Sequence, residues 1–532
     1  MNIKSLVIVG GGSSGWMTAA ALTYKFPQLN ITLIESEKIS TIGVGESTLG
    51  YINRFMDFLD IKDPDFMPYC QATYKNSIQF TDFYKKQHRF QYPFGDLITI
   101  PEVEYPDSVD ATKEAMEDEF NAQVRSPHEF YLLKAMHKND ISFNDYSRYF
   151  NFNSFLAEYN KQTDENIEGF NFKTDTAYHL DATKFGDYLK NTFCKNITHI
   201  QETVTDIKLF DEGIEYIKTN DKTINADLFI DCSGFSSILI DKFDNPYYNF
   251  KNLVNDSAVV AQTPNLDESD RRKNIRNVTD CKGMKEGWMW TIPLWNRTSN
   301  GYVYSSKFSD KETIEREFRT ELNHTENIKH IKFKHGCRKK SWIKNVVSIG
   351  LSYGFIEPLE STGLFTTHEN ILKLVELLDL HDLSINQIDK QIYNDSIWYT
   401  TNVLADFVAA HYAFSRRTDT EYWNYVTQKI DYECVDIKIP SISDDVRTML
   451  SHHDYDYQNI EGFTYILAGM HYSPLNYEYI KYISKKDKWF QKFEREKIKN
   501  NFKLILQRRK NIVSKLEDNY DFLKEKIYGQ YN

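Results

Sequence analysis

Few folds place a glycine-rich turn between a buried strand and a helix, and this chain carries such a turn close to its start. Residues 6–9 are an apolar run suited to a buried parallel strand, and Gly10, Gly12 and Gly15 occupy the first, third and sixth positions that follow. Gly10 allows a tight turn, Gly12 lets the backbone come close to a pyrophosphate, and Gly15 lets the helix pack on the strand. The pattern predicts a nucleotide-binding βαβ unit.

The residues around this turn supply the other groups that a dinucleotide needs. Ser13 and Ser14 begin the helix whose N-terminus points at the phosphates. Residues 31–34 form the next apolar strand, and Glu35 stands at its end, about twenty residues past the fingerprint, where a carboxylate can bind an adenosine ribose. A glycine-rich turn in an unrelated α/β protein is the alternative, but the strand, the helix and the acid together favour nucleotide binding.

Later segments of the chain are predicted to contact the same ligand. Gly45, Glu46 and Ser47 belong to a glycine-interrupted loop that can bring backbone amides against a flat ring, with a plain turn as the alternative. A hydrophobic strand over residues 226–231 is expected to return beside the first strand, as in folds that bind FAD, and to end at the sheet edge where ligands bind. Two further cofactor contacts are predicted, at Val204 in another strand and at Gly350, the last residue of the strand 346–350.

The composition is that of an ordinary globular protein with two or more domains. The chain has 532 residues, and its formal net charge of −12 argues against a nucleic-acid partner, which would need a basic face. Its six cysteines show neither a CxxC pair nor the spacing of zinc ligands, so we expect a reduced protein without a metal site. No apolar run suits a signal peptide or a membrane span, so a cytoplasmic protein without a membrane partner is expected.

Two polar segments are candidates for chemistry. Lys75 lies among aromatic residues, so its stem can lie on apolar surface while the ammonium enters a cavity, although a solvated lysine is the usual case. The run 357–363 ends a buried strand with two acids, a proline and a Ser-Thr-Gly sequence. Ser361, Thr362 and Gly363 can offer hydroxyls and an amide to an anion at a helix start, with Glu360 beside it, and capping of the helix by Ser361 and Thr362 is the alternative.

Aromatic and proline residues form two further candidate walls. Trp288 and Trp290 are two residues apart, so on a strand both side chains point to the same face. Such a pair is either part of the core or the side of an aromatic pocket, and Pro293 ends the same stretch. Pro93 and Phe94 belong to a second turn that combines proline, glycine and aromatic residues.

Taken together, these motifs resemble those of the flavin-dependent tryptophan halogenase family. The resemblance rests on the fingerprint at residues 10–15, the WxWxIP stretch 288–293 and the Glu-Pro-Leu-Glu-Ser-Thr-Gly run 357–363, and it spans most of the chain. Supporting pieces are Ala-Thr-Tyr-Lys at 72–75, Pro-Phe-Gly at 93–95, Ala-Tyr-His at 177–179, Asp-Cys-Ser-Gly-Phe at 231–235, Ala-His-Tyr at 410–412 and Ala-Gly-Met at 468–470.

The resemblance implies a two-component enzyme. A separate NAD(P)H-dependent flavin reductase would deliver FADH2, which reacts with O2 to a flavin hydroperoxide, and a halide ion (chloride, bromide or iodide) would attack it to give hypohalous acid. By matching positions, Lys75 would hold or react with this acid beside a small aromatic substrate, and Glu360 would assist by electrostatics or by taking the proton of the arenium intermediate. Thr362 and Gly363 would bind the halide, and the aromatic wall would separate the flavin from the substrate.

The resemblance also implies the fold class, an α/β protein with an FAD-binding βαβ, Rossmann-like fold of the flavin monooxygenase type. An inserted sheet and a helical C-terminal part would complete it. We expect residues 1–365 to form the FAD-binding and halide-oxidising module, with nucleotide-binding pieces at about 1–50, 175–240 and 340–365. Residues 366–532 show helical spacing and would complete the substrate pocket, ending in one long amphipathic helix. A homo-oligomer is compatible with this class.

Two other functions remain open at this point. A single-component flavin hydroxylase of the same fold usually carries Gly-Asp after the late strand, whereas this chain has Gly350 followed by Leu351. A flavin-binding protein without catalysis would not need both Lys75 and Glu360 at matching positions. Both features favour the halogenase.

The substrate is expected to differ from free tryptophan. Tryptophan-specific members of the family carry a Phe-Trp pair near the C-terminus that clamps the indole, and residues 456–464 of this chain lack it. The loss of aromatic stacking predicts a looser pocket that accepts varied electron-rich arenes. We also expect bromide and iodide, which are oxidised more easily, to be used at least as well as chloride.

Overall fold

The computed structural model describes most of the chain. At its centre is a six-stranded sheet in the order Trp342–Ile343, Val346–Ser348, Leu228–Asp231, Ser5–Val9, Asn30–Ile34, Thr198–Ile200, parallel except at the Trp342–Ile343 edge. The late strand therefore returns beside the first one, as predicted. The described residues are 2–37, 45–95, 97, 124, 127–137, 139–323, 327–432, 462–472 and 495–529.

The first strand is apolar on both faces because both faces of the sheet are covered. Leu6 and Ile8 join the core that includes the helix Ser13–Lys25, whereas Val7 and Val9 join a second core on the opposite face. This double burial explains why the strand is a continuous apolar run rather than an alternating one. The helix Ser13–Lys25 follows the glycine turn directly, so its N-terminus lies at the carboxyl edge of the sheet.

A second, larger sheet is inserted between the strands of the first. Its seven strands follow the order Lys329–Lys332, Ser257–Pro264, Arg297–Tyr304, Gly287–Pro293, Val278–Gly283, Ser77–Thr81, Arg89–Pro93. A small antiparallel sheet has Ala177–Asp181 in the middle, with Gly45–Ser47 on one side and Thr73–Lys75 on the other. This architecture of sheets and helices confirms the predicted α/β class with an inserted sheet.

The remaining strands are short and lie outside the two large sheets. They are Asp206–Phe210, Gly213–Lys218 and Thr223–Ile224 in one sheet, Tyr247–Asn249, Gly336–Arg338 and Gly354–Phe355 in another, and the pair Lys161–Gln162 and Glu517–Asp518.

Helices cover the sheets and dominate the C-terminal third. The helix Thr362–Leu380 packs on Ser13–Lys25, and Gln387–Phe414 begins with a capping box in which Asn386 and Asp389 bond each other's backbone. The other α-helices are Ile52–Phe58, Asp63–Cys70, Pro127–Met136, Asp145–Phe150, Asn153–Tyr159, Phe172–Asp175, Ala182–Phe193, Glu268–Asn274, Lys311–Leu322, Glu421–Gln428, Gly462–Gly469, Arg495–Val513 and Asn519–Leu523.

Four local expectations were wrong. Gly45–Ser47, predicted as a loop, is a strand, and Pro93, predicted in a turn, is the last residue of the strand Arg89–Pro93. Val204 precedes the strand Asp206–Phe210 instead of lying in it. The predicted long C-terminal helix stops at Val513, because the strand Glu517–Asp518 pairs with Lys161–Gln162 before a short helix resumes. No helix in the described ranges has the length and apolarity needed to cross a membrane.

Candidate active site

A cavity of about 860 Å³ opens at the carboxyl edge of the central sheet. This volume lies within the range of cofactor sites in proteins. Segments far apart in the sequence meet here because the strands that precede them are neighbours in the sheet. The predicted cofactor and halide residues that line the cavity are Gly10, Gly12, Ser13, Ser14, Glu35, Gly45, Glu46, Ser47, Val204, Gly350, Thr362 and Gly363.

The glycine fingerprint has the geometry that a pyrophosphate requires. Gly10 has a φ of +120°, and a Cβ there would stand 2.1 Å from the carbonyl oxygen of Cys232. A Cβ on Gly15 would stand 1.8 Å from the Gly10 oxygen, so this glycine packs the helix on the strand and does not line the cavity. A Cβ on Gly12 would meet no atom within 4 Å, and no side chain caps the helix that follows. The open space and uncapped N–H groups fit a dinucleotide phosphate.

The two predicted acids on this cavity, Glu35 and Glu46, stand in different settings. Glu35 Oε1 lies 2.7 Å from His199 Nε2, which holds the carboxylate at the end of the second strand. Burial raises the pKa of Glu46 to about 7, so near neutral pH this side chain exists in both protonation states. Its Oε2 would lie 3.9 Å from a Cβ on Gly363, which places the carboxyl beside the predicted halide residues.

Lys75 is fully buried next to the cavity but does not line it. Its ammonium donates hydrogen bonds to the Thr48 carbonyl and to Ser361 Oγ, both at 2.8 Å, and lies 4.8 Å from the centre of the Phe94 ring. Burial lowers the pKa of Lys75 to about 7, opposed by the charges of Cys281 and Glu360. The side chain can therefore act as an ammonium or as an amine near neutral pH.

Glu360 is the second buried charge at this point. Its Oε1 lies 2.6 Å from His411 Nε2, and His411 is itself oriented by the Phe407 carbonyl at 2.9 Å from Nδ1. Burial raises the pKa of Glu360, and the neighbouring His411 and Lys75 oppose that rise. Neither carboxyl oxygen makes a well-aligned hydrogen bond within the described residues. A buried carboxyl with spare acceptor capacity is suited to receive a proton.

One sharp turn places Glu360, Ser361 and Thr362. The 3₁₀ turn Pro358–Glu360 is followed by Ser361 at a φ of +56°, and the helix Thr362–Leu380 begins directly after it. A serine in this left-handed conformation costs on the order of 1 kcal/mol, a strain that is typical of functional sites. Thr362 Oγ1 is buried and has no hydrogen-bond partner within the described ranges, and no side chain caps the helix. An anion such as a halide fits these donors.

The tryptophan stretch forms a wall between the cavity and the core. Trp288 and Trp290 share one face of the strand with ring centres 6.0 Å apart, while Met289 packs in the core of the opposite face. Trp290 lines the cavity, and Trp288 is fully buried with its Nε1 donating to Glu357 at 2.9 Å. Glu357 also accepts hydrogen bonds from Asn255 and Tyr412, so this acid ties the wall to the helix Gln387–Phe414.

The other predicted wall residues lie beside Lys75 rather than on the cofactor cavity. Phe94 covers the ammonium, Pro93 pairs with Ser77 in the sheet, and the Pro293 carbonyl accepts a hydrogen bond from Thr73 at 2.6 Å. Pro93, Phe94 and Pro293 are all absent from the cavity lining.

The structure adds Thr48 and Thr279 to this site, which the motifs did not single out. Thr48 accepts a hydrogen bond from the Lys75 ammonium, and Thr279 lies on the cavity wall. Ser361 was predicted as a donor to an anion or as a helix cap, whereas its Oγ accepts a hydrogen bond from the Lys75 ammonium. No motif marks Thr279, which arrives from the inserted sheet.

The stretch on which the substrate expectation rests is only partly described. Residues 456–461 lie outside the described ranges, whereas Gly462 begins a helix. Tyr92 packs against Gly462, where a Cβ would stand 2.3 Å from the tyrosine ring. This glycine therefore faces an aromatic ring and does not itself open the pocket.

The fold and the site define a flavin-binding protein of the monooxygenase type. Comparison with known proteins narrows the class. The model of the family described as "Tryptophan halogenase" matches residues 5–483. A 7-chloro-L-tryptophan 6-halogenase (KtzR) of Kutzneria sp. (strain 744) is 34% identical over 430 residues, covering 79% of this chain and 81% of the relative.

Solved structures agree with this comparison. The chain matches the structure titled "VirX1 apo structure" with a TM-score of 0.87 and 39% identity, covering 99% of this chain and 100% of the other. It matches the tryptophan 6-halogenase SttH of Streptomyces toxytricini with a TM-score of 0.80 and 28% identity, covering 98% and 99%. The chain belongs to the tryptophan halogenase family.

Membership settles the general chemistry. The protein is an FADH2-dependent halogenase of aromatic substrates that uses O2 and halide, as predicted, and enzymes of this family work with a separate flavin reductase. Neither the hydroxylase nor the non-catalytic flavin-binding protein finds support.

Proposed function

We propose that Lys75 and Glu360 are the catalytic residues of this halogenase and that its substrate is an electron-rich arene other than free tryptophan. The observation that carries the assignment is the placement of both groups on either side of Ser361, fully buried and adjacent to the cofactor cavity. FADH2 bound in that cavity supplies, with O2, the oxidising chemistry that turns halide into hypohalous acid. Thr362 and Gly363 hold the halide at the uncapped helix start.

Lys75 acts on the hypohalous acid. The ammonium has two hydrogen bonds inside the protein, to Thr48 and Ser361, and its third N–H can donate to the oxygen of HOX. This hydrogen bond draws electrons from the halogen, so the arene carbon attacks the halogen and the O–X bond breaks. The oxygen takes a proton from the Lys75 ammonium and leaves as water, and Lys75 becomes a neutral amine. In its neutral form, Lys75 can instead attack the halogen itself and form a haloamine.

Glu360 receives the proton that the arene loses. Halogen addition leaves a cationic ring, and the ring regains aromaticity when its C–H proton moves to a base. The Glu360 carboxylate has free acceptor capacity, and His411 Nε2 at 2.6 Å stabilises its ionised form. A carboxylate in this position also stabilises the cationic ring before the proton leaves.

The first test replaces each residue. Lys75→Ala is expected to abolish halogenation while the bound FADH2 is still oxidised by O2, because the ammonium acts after the halide is oxidised. Glu360→Gln keeps the shape of the side chain and removes the base, so we expect turnover to fall by about 10²-fold or more without loss of folding. Reaction with reductase, FAD, NADH and bromide, followed by mass spectrometry, measures both. Normal halogenation by both variants would contradict the assignment.

The second test concerns the substrate and the halide. Without the Phe-Trp clamp, rates should follow the intrinsic reactivity of the arene, so phenols, anilines and azoles are expected to react faster than tryptophan. Bromide and iodide are expected to be used at least as well as chloride. The assay compares these arenes under each halide, with a reaction lacking the protein as the control for free hypohalous acid. Efficient chlorination of tryptophan at one position as the best reaction would overturn the proposal.

We further propose the division of the chain into a flavin and halide module, residues 1–365, and a helical part, residues 366–532. His411 at Glu360 and Thr401 on the cavity lining support a helical part that completes the site. The protein is proposed to work in the cytoplasm without nucleic-acid or membrane partners, consistent with its net charge of −12. A homo-oligomer is compatible with the proposal.

A further inference from the structure

A buried series of six hydrogen bonds runs from Lys75 to the backbone of the inserted sheet. The links are Lys75 Nζ to Ser361 Oγ (2.8 Å), Ser361 Oγ to Ser47 Oγ (3.0 Å), Ser47 Oγ to Thr279 Oγ1 (2.7 Å), Thr279 Oγ1 to His179 Nε2 (2.8 Å), His179 Nδ1 to Thr73 Oγ1 (3.2 Å) and Thr73 Oγ1 to the Pro293 carbonyl (2.6 Å). We call this series the hydroxyl chain.

Strand register builds the hydroxyl chain. In the small sheet, His179 lies on the middle strand, directly opposite Ser47 on one neighbour and Thr73 on the other. The His179 ring bonds Thr73 through Nδ1 and Thr279 through Nε2, and Ser47 bonds the same Thr279 hydroxyl. Thr279 comes from the seven-stranded sheet, and Ser361 comes from the strained turn before the helix Thr362–Leu380. Side chains from three separate structural layers are thus joined.

The two ends of the hydroxyl chain fix the direction of every bond in it. The Pro293 carbonyl can only accept a hydrogen bond, so the Thr73 hydroxyl donates its one proton there. Thr73 Oγ1 must therefore accept a hydrogen bond from His179 Nδ1. Burial and the charge of Lys75 hold the pKa of His179 well below its ordinary value, so the ring is neutral and Nε2 accepts. Thr279 therefore donates to His179.

The directions of the remaining bonds, up to Lys75, follow from that of Thr279. Because Thr279 donates to His179, it accepts from Ser47, which in turn accepts from Ser361. Ser361 Oγ then presents a lone pair to Lys75 Nζ, which can only donate when it is an ammonium. All six bonds are satisfied by a single arrangement of the protons, and the tautomer of His179 sets that arrangement.

The hydroxyl chain also provides a path out of a sealed site. Lys75 is fully buried, and its two hydrogen-bond acceptors within the described residues are Thr48 O and Ser361 Oγ. A backbone carbonyl cannot pass a proton on, whereas a hydroxyl accepts one proton as it releases another. Ser361, Ser47 and Thr279 all line the cofactor cavity, although Lys75 does not.

We propose that Ser361, Ser47 and Thr279, oriented by His179, stabilise Lys75 as an ammonium and form the route by which it exchanges its proton with the cofactor cavity. As a proton moves from Nζ to Ser361 Oγ, the proton of Ser361 moves to Ser47 Oγ, the proton of Ser47 moves to Thr279 Oγ1, and Thr279 releases its own proton to water in the cavity. The lysine becomes a neutral amine, water becomes hydronium, and the reverse sequence restores the ammonium. His179 is a positioning residue, because it acts on Lys75 through the hydroxyls.

The proposal rests on the proposed role of Lys75, but its test reads the lysine directly. Selective ¹³C labelling of lysine Cε and NMR titration of the protein give the pKa of Lys75, whose signal is assigned by its loss in Lys75→Met. The titratable groups that act on Lys75 are Cys281, Glu360 with its partner His411, and His179, so these remain unchanged in the test variants.

Two variants break the hydroxyl chain at different links. Thr279→Val removes the link between Ser47 and His179, and Thr73→Val removes the group that fixes the His179 tautomer. Either change leaves Ser361 without a fixed orientation towards the ammonium. We expect the acid dissociation constant of Lys75 to rise about tenfold, which is the effect of losing one hydrogen bond to a charged group. Thr279→Ser keeps the hydroxyl and should restore the wild-type value.

Thr298→Val is the matched control. This threonine is buried in the same seven-stranded sheet, opposite Pro293, and its hydroxyl has no partner within the described residues. Its replacement should leave the pKa of Lys75 unchanged. The pH profile of kcat/KM for halogenation provides the second measurement, and its inflection should move with the NMR value in both test variants.

The outcomes separate the alternatives. An unchanged Lys75 titration in folded Thr279→Val and Thr73→Val overturns the proposal, as does a uniform loss of activity at every pH without a change in the titration. A shift of equal size in the pKa of Lys75 in Thr298→Val also overturns the proposal. If Thr279→Val fails to fold, the Lys75 titrations of the single variants Ser47→Ala and Thr73→Val decide between these outcomes. If Lys75 titrates as expected but the wild-type protein halogenates no arene, the hydroxyl chain stands and the proposed function falls.

Discussion

Glu46 controls a charge beside the predicted halide site. Its pKa is raised to about 7 by burial, so the neutral form predominates below that pH and the carboxylate above it. The carboxyl lies against Gly363, so its ionisation places a negative charge next to the anion. We expect the apparent KM for bromide to increase as pH rises through about 7, because like charges repel in a low-dielectric site.

The Glu46→Gln variant checks this dependence. Glutamine keeps the size of the side chain and cannot ionise, so the KM for bromide should become nearly independent of pH between about 6 and 8. The KM for the arene serves as the internal control, because the arene is uncharged. A bromide KM that rises with pH in the variant as it does in the wild type would assign the effect to another group.

The predictability of individual residues depended on whether they sit in a contiguous motif. Lys75, Glu360, Thr362 and Gly363 belong to short segments with recognisable sequences, and all four lie at or beside the cavity. Thr279 gave no signal, because its partners are 100 and 232 residues away and meet it only through strand register. Such contacts are a property of the assembled sheets.

At the scale of elements, the C-terminal segment is clamped to the site by stacked rings. The Trp295 ring stacks on the rings of Tyr528 and Tyr520, with ring centres 3.8 Å and 5.5 Å apart, respectively. The ring planes of each pair are nearly parallel. The Tyr528 hydroxyl donates to the Ala72 carbonyl at 2.8 Å, immediately before the strand Thr73–Lys75. The segment therefore fixes the start of the strand that carries the lysine.

Tyr528→Ala is expected to lower the free energy of unfolding by about 3 kcal/mol, because a buried aromatic ring and its stacking partner are lost. Tyr528→Phe keeps the ring and removes only the hydroxyl, so its effect should be about 1 kcal/mol. Chemical denaturation of the two variants beside the wild type gives the comparison. Equal losses in both variants would show that the hydroxyl, rather than the stack, stabilises this contact.

The same segment shows why the long C-terminal helix was mispredicted. Apolar residues at helical spacing continue from residue 505 to residue 527, but Glu517–Asp518 leaves the helix to pair with Lys161–Gln162. The amphipathic pattern indicates which side chains are buried. The apolar residues on either side of the strand pack in cores, whereas Glu517 and Asp518 themselves are exposed. A tertiary partner from the middle of the chain decides between helix and strand.

At the scale of the whole molecule, the chain is expected to depend on another protein for reducing equivalents. The sequence has one dinucleotide fingerprint, and FAD, the cofactor of this family, occupies one such site. Purified protein with FAD should therefore consume NADH no faster than free FAD does. Loss of NADH absorbance is the measurement, with an added flavin reductase as the positive control. Rapid NADH consumption by the protein alone would contradict the two-component scheme.

The fold class could be predicted from the fingerprint because a strand, a turn and a helix in this order leave few choices for the first sheet. The order of strands in the inserted sheet could not be predicted from the sequence. Ser77–Thr81 pairs with Val278–Gly283, two hundred residues later, and no local signal specifies that pairing. The inserted sheet nevertheless supplies Thr279, Trp288 and Trp290, so much of the site arrives from the part that sequence reasoning describes least well.

The turn at Glu360 and Ser361 has a consequence for redesign. Consecutive residues of one strained turn serve two compartments, with Glu360 directed to His411 and Ser361 on the cofactor wall. An engineer who widens the substrate side by moving this turn also displaces a group on the flavin side. The two compartments are therefore not independent design variables, and libraries that hold residues 358–362 fixed should leave halide oxidation undamaged.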